Sequence, residues 1–390
     1  MSGIVHCTTP PMGWNSFCTC RCEPSEKLML EVTDLIIDLG LADLGYKYVN
    51  LDDGWLKKTR DANGKLQYRD DVFPHGMKYV TDYIHAKGLK AGTYLGAGIT
   101  TWNEDAGSLG HEFEDARSIA EWGFDYLKYD RHLTDQDPPR DLVTEYIKMG
   151  LALKNCGRDI VYGICEHGTT KPWKWAHPVG SLWRTGEDVH DNWRNCENPE
   201  AGIGILDIMD DTLAKISSYG GYGGYNDPDM IVTGMRNQSN WMGSGCTTEE
   251  YRTVFALWSM LAAPLLIGAD LKNISKTDLD ILKSKGIIAI DQDPLCIPAK
   301  RVYHDPNSYD LWCRQLHDFK WAVAIVNRSS EKQTLGFTWE DLGLSRTLPA
   351  KITDAWTEKV IAHIPKGGEF SLDVKRHDTA VLILEPEISI

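Results

Sequence analysis

Eight short apolar segments recur along the first part of the chain, each followed by polar residues and then an amphipathic stretch. The segments are PPMGWNSF, YKYVNLDDGW, LKAGTYLGAG, FDYLKYDRH, DIVYGICEHG, SLWRTGED, GGYNDPDM and APLLIGADL. Apolar strands that alternate with amphipathic helices indicate parallel βα units. Eight such units predict an α/β fold, a (β/α)8 TIM barrel. A doubly wound open sheet is the alternative, but no G-x-G-x-x-G follows the first segment to indicate a dinucleotide site.

The pattern changes after IIAIDQDPLCIPAKRVYH. From about Tyr303 onward, turn residues separate short alternating stretches: DLWCRQL, KWAVAIVN, TLGFTW, KITDAW, EFSLDV and TAVLILEP. Period-two alternation broken by turns is typical of antiparallel strands with one buried face. The sequence therefore predicts a catalytic barrel over residues 1–298 and an antiparallel β domain over residues 299–390.

The formal net charge of −15 makes nucleic acid and anionic membrane surfaces poor partners, because both are negatively charged. No run of 18 apolar residues is present to form a transmembrane helix. The first residues, MSGIVHCTTPPMGWNS, lack the basic and apolar regions of a signal peptide. We therefore expect a cytoplasmic protein.

Three of the ten cysteines, Cys18, Cys20 and Cys22, form the cluster FCTCRC. A C-x-C-x-C cluster can bind a soft metal, but zinc sites usually pair C-x2-C with a second such pair, and none follows here. Free thiols in a reducing compartment are the better interpretation. The sequence predicts neither a metal site nor a cofactor.

Acids or their hydrogen-bonding partners stand at six of the eight predicted strand ends. The active site of a TIM barrel lies at the carboxyl ends of its strands, so these side chains should converge. One acid at a strand end is as readily a helix N-cap. Six convergent ends are harder to explain in this way, since buried acids are costly without basic or polar partners.

Many carboxylates with one lysine, one arginine and aromatic residues suit glycoside hydrolysis, which needs two carboxyl groups beside the scissile bond. The remaining acids can accept hydrogen bonds from sugar hydroxyls. Lys128 lies two residues before Asp130, on the same face of the predicted strand. A neighbouring cation keeps a carboxylate ionised, as a covalent nucleophile must be.

The chain also resembles a known family through several motifs in order: PPMGWNSF, LDDGW, LGHEFEDA, YLKYD, LWRTGEDVHDNW, GGYNDPDM, FALWSMLAAPLLIGADL and IAIDQDPL. They resemble the α-galactosidase/α-N-acetylgalactosaminidase family, glycoside hydrolase family 27. The resemblance implies a retaining exo-glycosidase with a TIM barrel and a C-terminal β-sandwich. Its implied partner is a small-molecule or oligosaccharide substrate with a terminal galactose-like sugar.

The resemblance also implies catalytic roles. Asp130 in KYD matches the nucleophile. Asp188, four residues after Arg184, matches the acid/base, and the adjacent Glu187 is its rival. The remaining matched positions are expected around the sugar: Asp52 and Asp53 at O4 and O6, Lys128 at O3 and O4, Glu166 and Arg184 at O2, Asp229 at the pocket floor, and Trp14 and Tyr94 in the aromatic wall.

Several positions depart from the family pattern. Gly54, Trp102 and His132 stand where the family carries disulfide cysteines, which agrees with a reducing compartment. Phe17 and His167 each replace a tryptophan. We expect Phe17, Trp102, His132 and His167 to lie beside the sugar, and these changes leave its identity open.

Glu166 beside O2 favours a free hydroxyl over an acetamido group, so the first expectation is a terminal α-D-galactosyl substrate. A β-L-arabinopyranosidase or an α-N-acetylgalactosaminidase of the same family is the alternative. A non-catalytic sugar-binding protein is expected to lack one catalytic acid, but Asp130 and Asp188 are both present. The leaving group and the oligomeric state, a homo-oligomer included, stay open.

Overall fold

The computed structural model describes residues 7–194, 203–238, 242–365 and 368–387. Eight parallel strands are β1 Met12–Asn15, β2 Tyr48–Asn50, β3 Lys90–Gly96, β4 Tyr126–Asp130, β5 Val161–Cys165, β6 Leu182–Arg184, β7 Tyr225–Asp227 and β8 Leu265–Ile267. They form one sheet in the order β7-β6-β5-β4-β3-β2-β1-β8. Ile231, after β7, closes the ring: its N–H donates to Leu266 O (2.7 Å) and its carbonyl accepts from Gly268 N (3.0 Å). The predicted TIM barrel is confirmed.

Amphipathic helices cover the barrel. The described α-helices are α1 Phe17–Cys20, α2 Glu26–Asp38, α3 Met77–Ala86, α4 Glu112–Trp122, α5 Leu142–Lys154, α6 Ile205–Ile208, α7 Ala214–Ile216, α8 Thr248–Met260, α9 Lys276–Leu282 and α10 Lys285–Asp291. Helix α2 begins where Ser25 accepts a hydrogen bond from Leu28 N, and it buries Met29, Val32 and Ile36 at helical spacing. Within the described ranges, no helix is long and apolar enough to cross a membrane.

The C-terminal domain is antiparallel. Its strands are β9 Lys300–His304, β10 Tyr309–Leu316, β11 Lys320–Asn327, β12 Gln333–Thr338, β13 Ala350–Asp354, β14 Lys359–Ile364, β15 Glu369–Val374 and β16 Thr379–Pro386. Six form a sheet in the order β14-β13-β16-β11-β10-β9, and β12 pairs with β15. Leu311, Val323 and Ile325 from the larger sheet share an apolar core with Leu335 and Phe337 from the smaller pair. The β-sandwich implied by the resemblance is confirmed.

Helix α8 joins the two parts of the molecule. Thr253 in α8 lies 2.7 Å from Thr379 of β16, hydroxyl to hydroxyl, and Arg314 of β10 donates to Ser259 O at 2.6 Å. Strand β9 begins at Lys300. The boundary between residues 298 and 299 stays a prediction.

Candidate active site

The polar strand ends converge on one cavity of about 360 Å³. Its wall contains Phe17, Cys18, Arg21, Cys22, Asp52, Asp53, Tyr94, Trp102, Lys128, Asp130, Arg131, His167, Arg184, Glu187, Asp188, Asp229, Met230 and Met242. Most of these residues stand in strands β2 to β7 or in the loops that follow them. Phe17 and Cys18 lie in α1, Arg21 and Cys22 follow it, and Met242 lies farther along the segment between β7 and α8. The sequence prediction of a shared site at the carboxyl ends of the strands therefore agrees with the geometry.

Asp130 ends β4 and is 5% exposed. Tyr94 donates its hydroxyl to Oδ2 at 3.1 Å, and the Nε2 of His167 lies 3.2 Å from Oδ1. Burial opposes ionisation of the Asp130 carboxyl, but the hydrogen bond from His167 and the charges of His167 and Lys128 outweigh it and lower its pKa. The result is an oriented, ionised carboxylate, as a nucleophile requires.

Lys128 and Asp52 form a buried ion pair beside Asp130. Lys128 Nζ donates to Asp52 Oδ2 at 2.9 Å and lies 5.6 and 5.5 Å from the ring centroids of Phe17 and Tyr94. Burial disfavours the ammonium, yet Asp52 and the other acids raise the pKa of Lys128 well above its usual value. The pair is suited to hold a sugar hydroxyl, with one donor and one acceptor side by side.

Asp53 connects the cavity to the loop after β3. Its carboxylate accepts hydrogen bonds from Gly54 N at 2.8 Å and Asn103 N at 2.9 Å, and burial raises its pKa to about 7. Gly54 follows with φ 95°, and a Cβ there would meet the Cys22 carbonyl oxygen at 2.2 Å. The turn after β2 therefore requires glycine at this position.

Arg184, at the end of β6, ties together the acids on the opposite wall. It donates from Nη2 to Asp188 Oδ1 at 2.9 Å, and the same nitrogen lies 3.2 Å from Asp229 Oδ2. The Asp188 side chain is 51% exposed, whereas that of Asp229 is 6% exposed. Burial raises the pKa of Asp229, while at Asp188 the effect of burial is overcome by Arg184 and the pKa is lowered.

Glu187, the sequence-level rival of Asp188, has a different partner. Its Oε2 lies 2.9 Å from the Nδ1 of His167, and this hydrogen bond lowers the pKa of Glu187. Each of the two adjacent acids therefore pairs with its own base, Asp188 with Arg184 and Glu187 with His167.

Three predicted sugar-contacting residues lie outside the cavity wall. Trp14 is fully buried, and its indole N–H donates to Ala269 O at 3.0 Å. Glu166 is also fully buried: its carboxylate accepts from Thr170 N at 2.7 Å in the turn after β5. Strand β4 ends at Asp130, so His132 leaves the strand face and turns to the loop after β3. Contact of these three residues with the sugar stays a prediction.

Sequence reasoning left Arg21, Arg131, Met230 and Met242 unassigned, although all four line the cavity. Arg131 and Met230 had a local signal, since they directly follow Asp130 and Asp229. Met242 comes from a segment remote in sequence from the strand ends, with no pattern to mark it. Cys18 and Cys22 of the cysteine cluster also line the cavity. The cysteines that the structure describes are all free: Cys7, Cys18, Cys20, Cys22, Cys156, Cys165, Cys246, Cys296 and Cys313.

Ligand atoms of Asp130, Cys165 and His167 lie within 4.8 Å of one another. Both ring nitrogens of His167 already face carboxylates, and burial raises the pKa of the Cys165 thiol to about 11. A metal needs a free imidazole lone pair and a thiolate. We interpret the group as a hydrogen-bonded cluster. A second group, Asp210, His304 and Asp310, has its carboxylates bound by arginines.

Comparisons with known proteins agree with this arrangement. The family model described as alpha galactosidase A matches residues 9–293, and the alpha galactosidase C-terminal β-sandwich model matches residues 306–384. The alpha-galactosidase of Coffea arabica is 40% identical over 385 residues, which cover 97% of this chain and 94% of that protein.

Solved structures give the same result. The alpha-galactosidase I of Mortierella vinacea has a TM-score of 0.89 and 31% identity, with 97% of each chain covered. A Saccharomyces cerevisiae alpha-galactosidase structure with raffinose has a TM-score of 0.89 and 28% identity, covering 97% of this chain and 98% of that one. The chain therefore belongs to the α-galactosidase family, glycoside hydrolase family 27, and is a glycoside hydrolase.

Proposed function

We propose that this enzyme removes terminal α-D-galactosyl residues by double displacement through a covalent glycosyl-enzyme. The observation that carries the mechanism is the pair of carboxyl groups on one cavity, buried and ionised Asp130 and half-exposed Asp188. The sugar follows from the relatives, which include α-galactosidases 31 to 40% identical to this chain. A cavity of about 360 Å³ is at the small end for ligand sites and suits attack on a terminal residue.

In the first step, Asp188 gives its proton to the glycosidic oxygen while Asp130 attacks C1. The bond from C1 to the leaving oxygen breaks, and a bond from C1 to a carboxylate oxygen of Asp130 forms. In the second step, Asp188 removes a proton from water, whose oxygen attacks C1 and releases Asp130 as a carboxylate. Each step inverts C1, so the product keeps the α configuration.

Asp188 must hold a proton to act as the acid, yet Arg184 lowers its pKa. A sugar hydroxyl that accepts from the Arg184 guanidinium competes with Asp188 for this donor. Loss of that hydrogen bond raises the pKa of the Asp188 carboxyl, because the charged form loses its partner. Asp229, 3.2 Å from the same nitrogen, holds Arg184 in place during the exchange.

The cavity offers hydrogen-bond donors and acceptors that match the hydroxyls of the sugar. Asp52 and Lys128 suit vicinal hydroxyls, and the rings of Phe17 and Tyr94 flank Lys128. The expectation that Glu166 favours a free 2-hydroxyl stays a prediction. Specificity for galactose is supported by the relatives, which are α-galactosidases.

A panel of 4-nitrophenyl glycosides tests the proposal: α-galactoside, β-L-arabinopyranoside, α-N-acetylgalactosaminide and α-glucoside. We expect the highest kcat/KM on the α-galactoside, with α-galactose as the first product seen by proton NMR. Faster hydrolysis of another glycoside would replace the sugar, and β-galactose as first product would exclude double displacement. Asp130→Ala should lower kcat on the order of 10⁴-fold.

The natural substrate is proposed to be an oligosaccharide with a terminal galactosyl unit. To test this, the galactose that the full chain releases from raffinose is measured. A cytoplasmic location stays a prediction, to be tested by fractionation of the producing cells.

A further inference from the structure

His167 stands between the proposed nucleophile and a second acid. It follows β5 with φ 59°, and its side chain is 6% exposed. Nε2 lies 3.2 Å from Asp130 Oδ1, and Nδ1 lies 2.9 Å from Glu187 Oε2. Asp130 is buried, but the Glu187 side chain is 58% exposed at the cavity mouth. The three side chains therefore form a line from the solvent to the reacting carboxylate.

Both neighbours of the ring are hydrogen-bond acceptors. An ionised carboxylate only accepts, and a neutral imidazole has only one N–H to donate. Two acceptors on the two ring nitrogens therefore require an imidazolium with both protons present. Burial opposes this charge, but the hydrogen bonds to the Asp130 and Glu187 carboxylates favour it and raise the pKa of His167 above its usual value.

We propose that His167, oriented by Glu187, is a positioning residue that holds Oδ1 of Asp130 through a charged hydrogen bond and keeps this nucleophile ionised. The proposal rests on the proposed double displacement and adds a named role to a residue that replaces a tryptophan of the family pattern. Charge-assisted hydrogen bonds are shorter and stronger than neutral ones, so the contact fixes the carboxylate as well as its charge.

The other groups facing Asp130 explain why this cation matters. Burial and the like charge of Asp188 oppose ionisation of Asp130. Lys128 favours ionisation, but its Nζ is bound to Asp52 at 2.9 Å. Tyr94 donates to Oδ2 as a neutral group.

Cys165 in β5 is paired with Asp130 in β4. Burial raises the pKa of the Cys165 thiol to about 11, so the thiol is neutral near pH 7. Glu166, after β5, points into its own turn. His167 is therefore the cation that meets Asp130 directly.

The same contact serves both chemical steps. While Oδ2 attacks C1, Oδ1 becomes the carbonyl oxygen of the ester and still accepts from His167. When water attacks C1 in the second step, the C1–O bond breaks and its electron pair returns to the Asp130 carboxylate. A charged donor on Oδ1 stabilises that departing carboxylate.

His167→Gln tests the proposal through the pH profile of kcat/KM on 4-nitrophenyl α-galactoside. Loss of the cation raises the pKa of Asp130, so the acid limb should move to higher pH by about one unit. We expect kcat at the optimum to fall about 10²-fold. Glu187→Gln should shift the limb in the same direction but less, and should add nothing in the His167→Gln background. An unchanged acid limb in His167→Gln would overturn the proposal.

His85→Gln is the matched control, because His85 Nε2 also pairs with a carboxylate, Asp125 Oδ2 at 2.7 Å, outside the cavity. Its pH profile should equal that of the parent enzyme. Imidazole nitrogen NMR gives a readout besides activity: His167, assigned by the Gln variant, should stay doubly protonated at pH 8. A neutral ring there contradicts the proposal even in an active enzyme. If the ring is charged but the enzyme does not hydrolyse galactosides, the ion pair of His167 with Asp130 is supported and the proposed function is refuted.

Discussion

The imidazole of His132 lies against the indole of Trp102, with ring centroids 4.6 Å apart. His132 Nδ1 also lies 3.2 Å from Thr100 O, so the histidine contacts the loop that carries Trp102. These are the two positions at which the resemblance to the family implies disulfide cysteines. An aromatic contact and a backbone hydrogen bond therefore hold this wall of the cavity in place of a covalent link.

His132→Ala should loosen the loop without touching the reacting atoms. We expect KM on 4-nitrophenyl α-galactoside to rise several-fold with kcat nearly unchanged, and the free energy of unfolding to fall by about 1 kcal/mol. Steady-state kinetics and urea denaturation measure the two effects. Trp102→Ala, which removes the wall itself, should raise KM further. A loss of kcat in His132→Ala comparable to that of Asp130→Ala would show instead that His132 takes part in the chemistry.

Asp188→Asn should distinguish the acid/base from its neighbour. Without an acid, a substrate with a poor leaving group such as raffinose should lose about 10³-fold in kcat/KM, and an activated dinitrophenyl galactoside far less. Glu187→Gln is the control: its loss should be similar for both substrates, because Glu187 acts through His167. If the dependence on the leaving group appeared in Glu187→Gln instead, the two roles would be exchanged.

The barrel could be predicted because its buried strands are short apolar runs, most of which stop on a polar residue. The sequence did not predict strands β9 and β14. Val302 and Tyr303 in β9, and Val360 and Ile361 in β14, are exposed, so these sheet-edge strands show no alternation between a buried and an exposed face.

Site residues could be predicted from strand alternation only where they lie within a strand. Period-two alternation placed Lys128 and Asp130 on one face, and both line the cavity. The alternation does not extend to His132, because β4 ends at Asp130. His167 reaches the cavity in a left-handed backbone conformation (φ 59°), which strand alternation does not predict. The carboxylate of its neighbour Glu166 instead accepts a hydrogen bond within the turn after β5. Strand periodicity carries no information beyond the last strand residue.

Asp53 should make the stability of the protein depend on pH. Its folded-state pKa is about 7, above the unfolded value of about 3.9, so between these pH values the folded state retains a proton that the unfolded state loses. The free energy of unfolding should therefore fall as the pH rises from about 4 to 7, by about 4 kcal/mol at most. Asp53→Asn should flatten this slope in urea titrations at several pH values. An equal slope in the variant would assign the pH dependence to other acids.

Arg328 should be a main support of the junction between barrel and β-sandwich. Its fully buried guanidinium donates to Asp310 Oδ2 at 2.6 Å in the sandwich and also to Asp210, between α6 and α7 of the barrel. Arg328→Ala would leave both acids with one cation fewer in a buried place. Breaking such a network by removing one partner typically costs about 3 to 5 kcal/mol.

Urea denaturation should show that loss in Arg328→Ala, with kcat on 4-nitrophenyl α-galactoside retained in the folded fraction. Arg346→Ala is the control, because the Arg346–Glu340 pair is exposed and such pairs contribute little. Similar stability of the two variants would mean that Arg301, which also binds Asp210, is sufficient to neutralise the cluster. In that case Arg301→Ala in the Arg328→Ala background should unfold the junction.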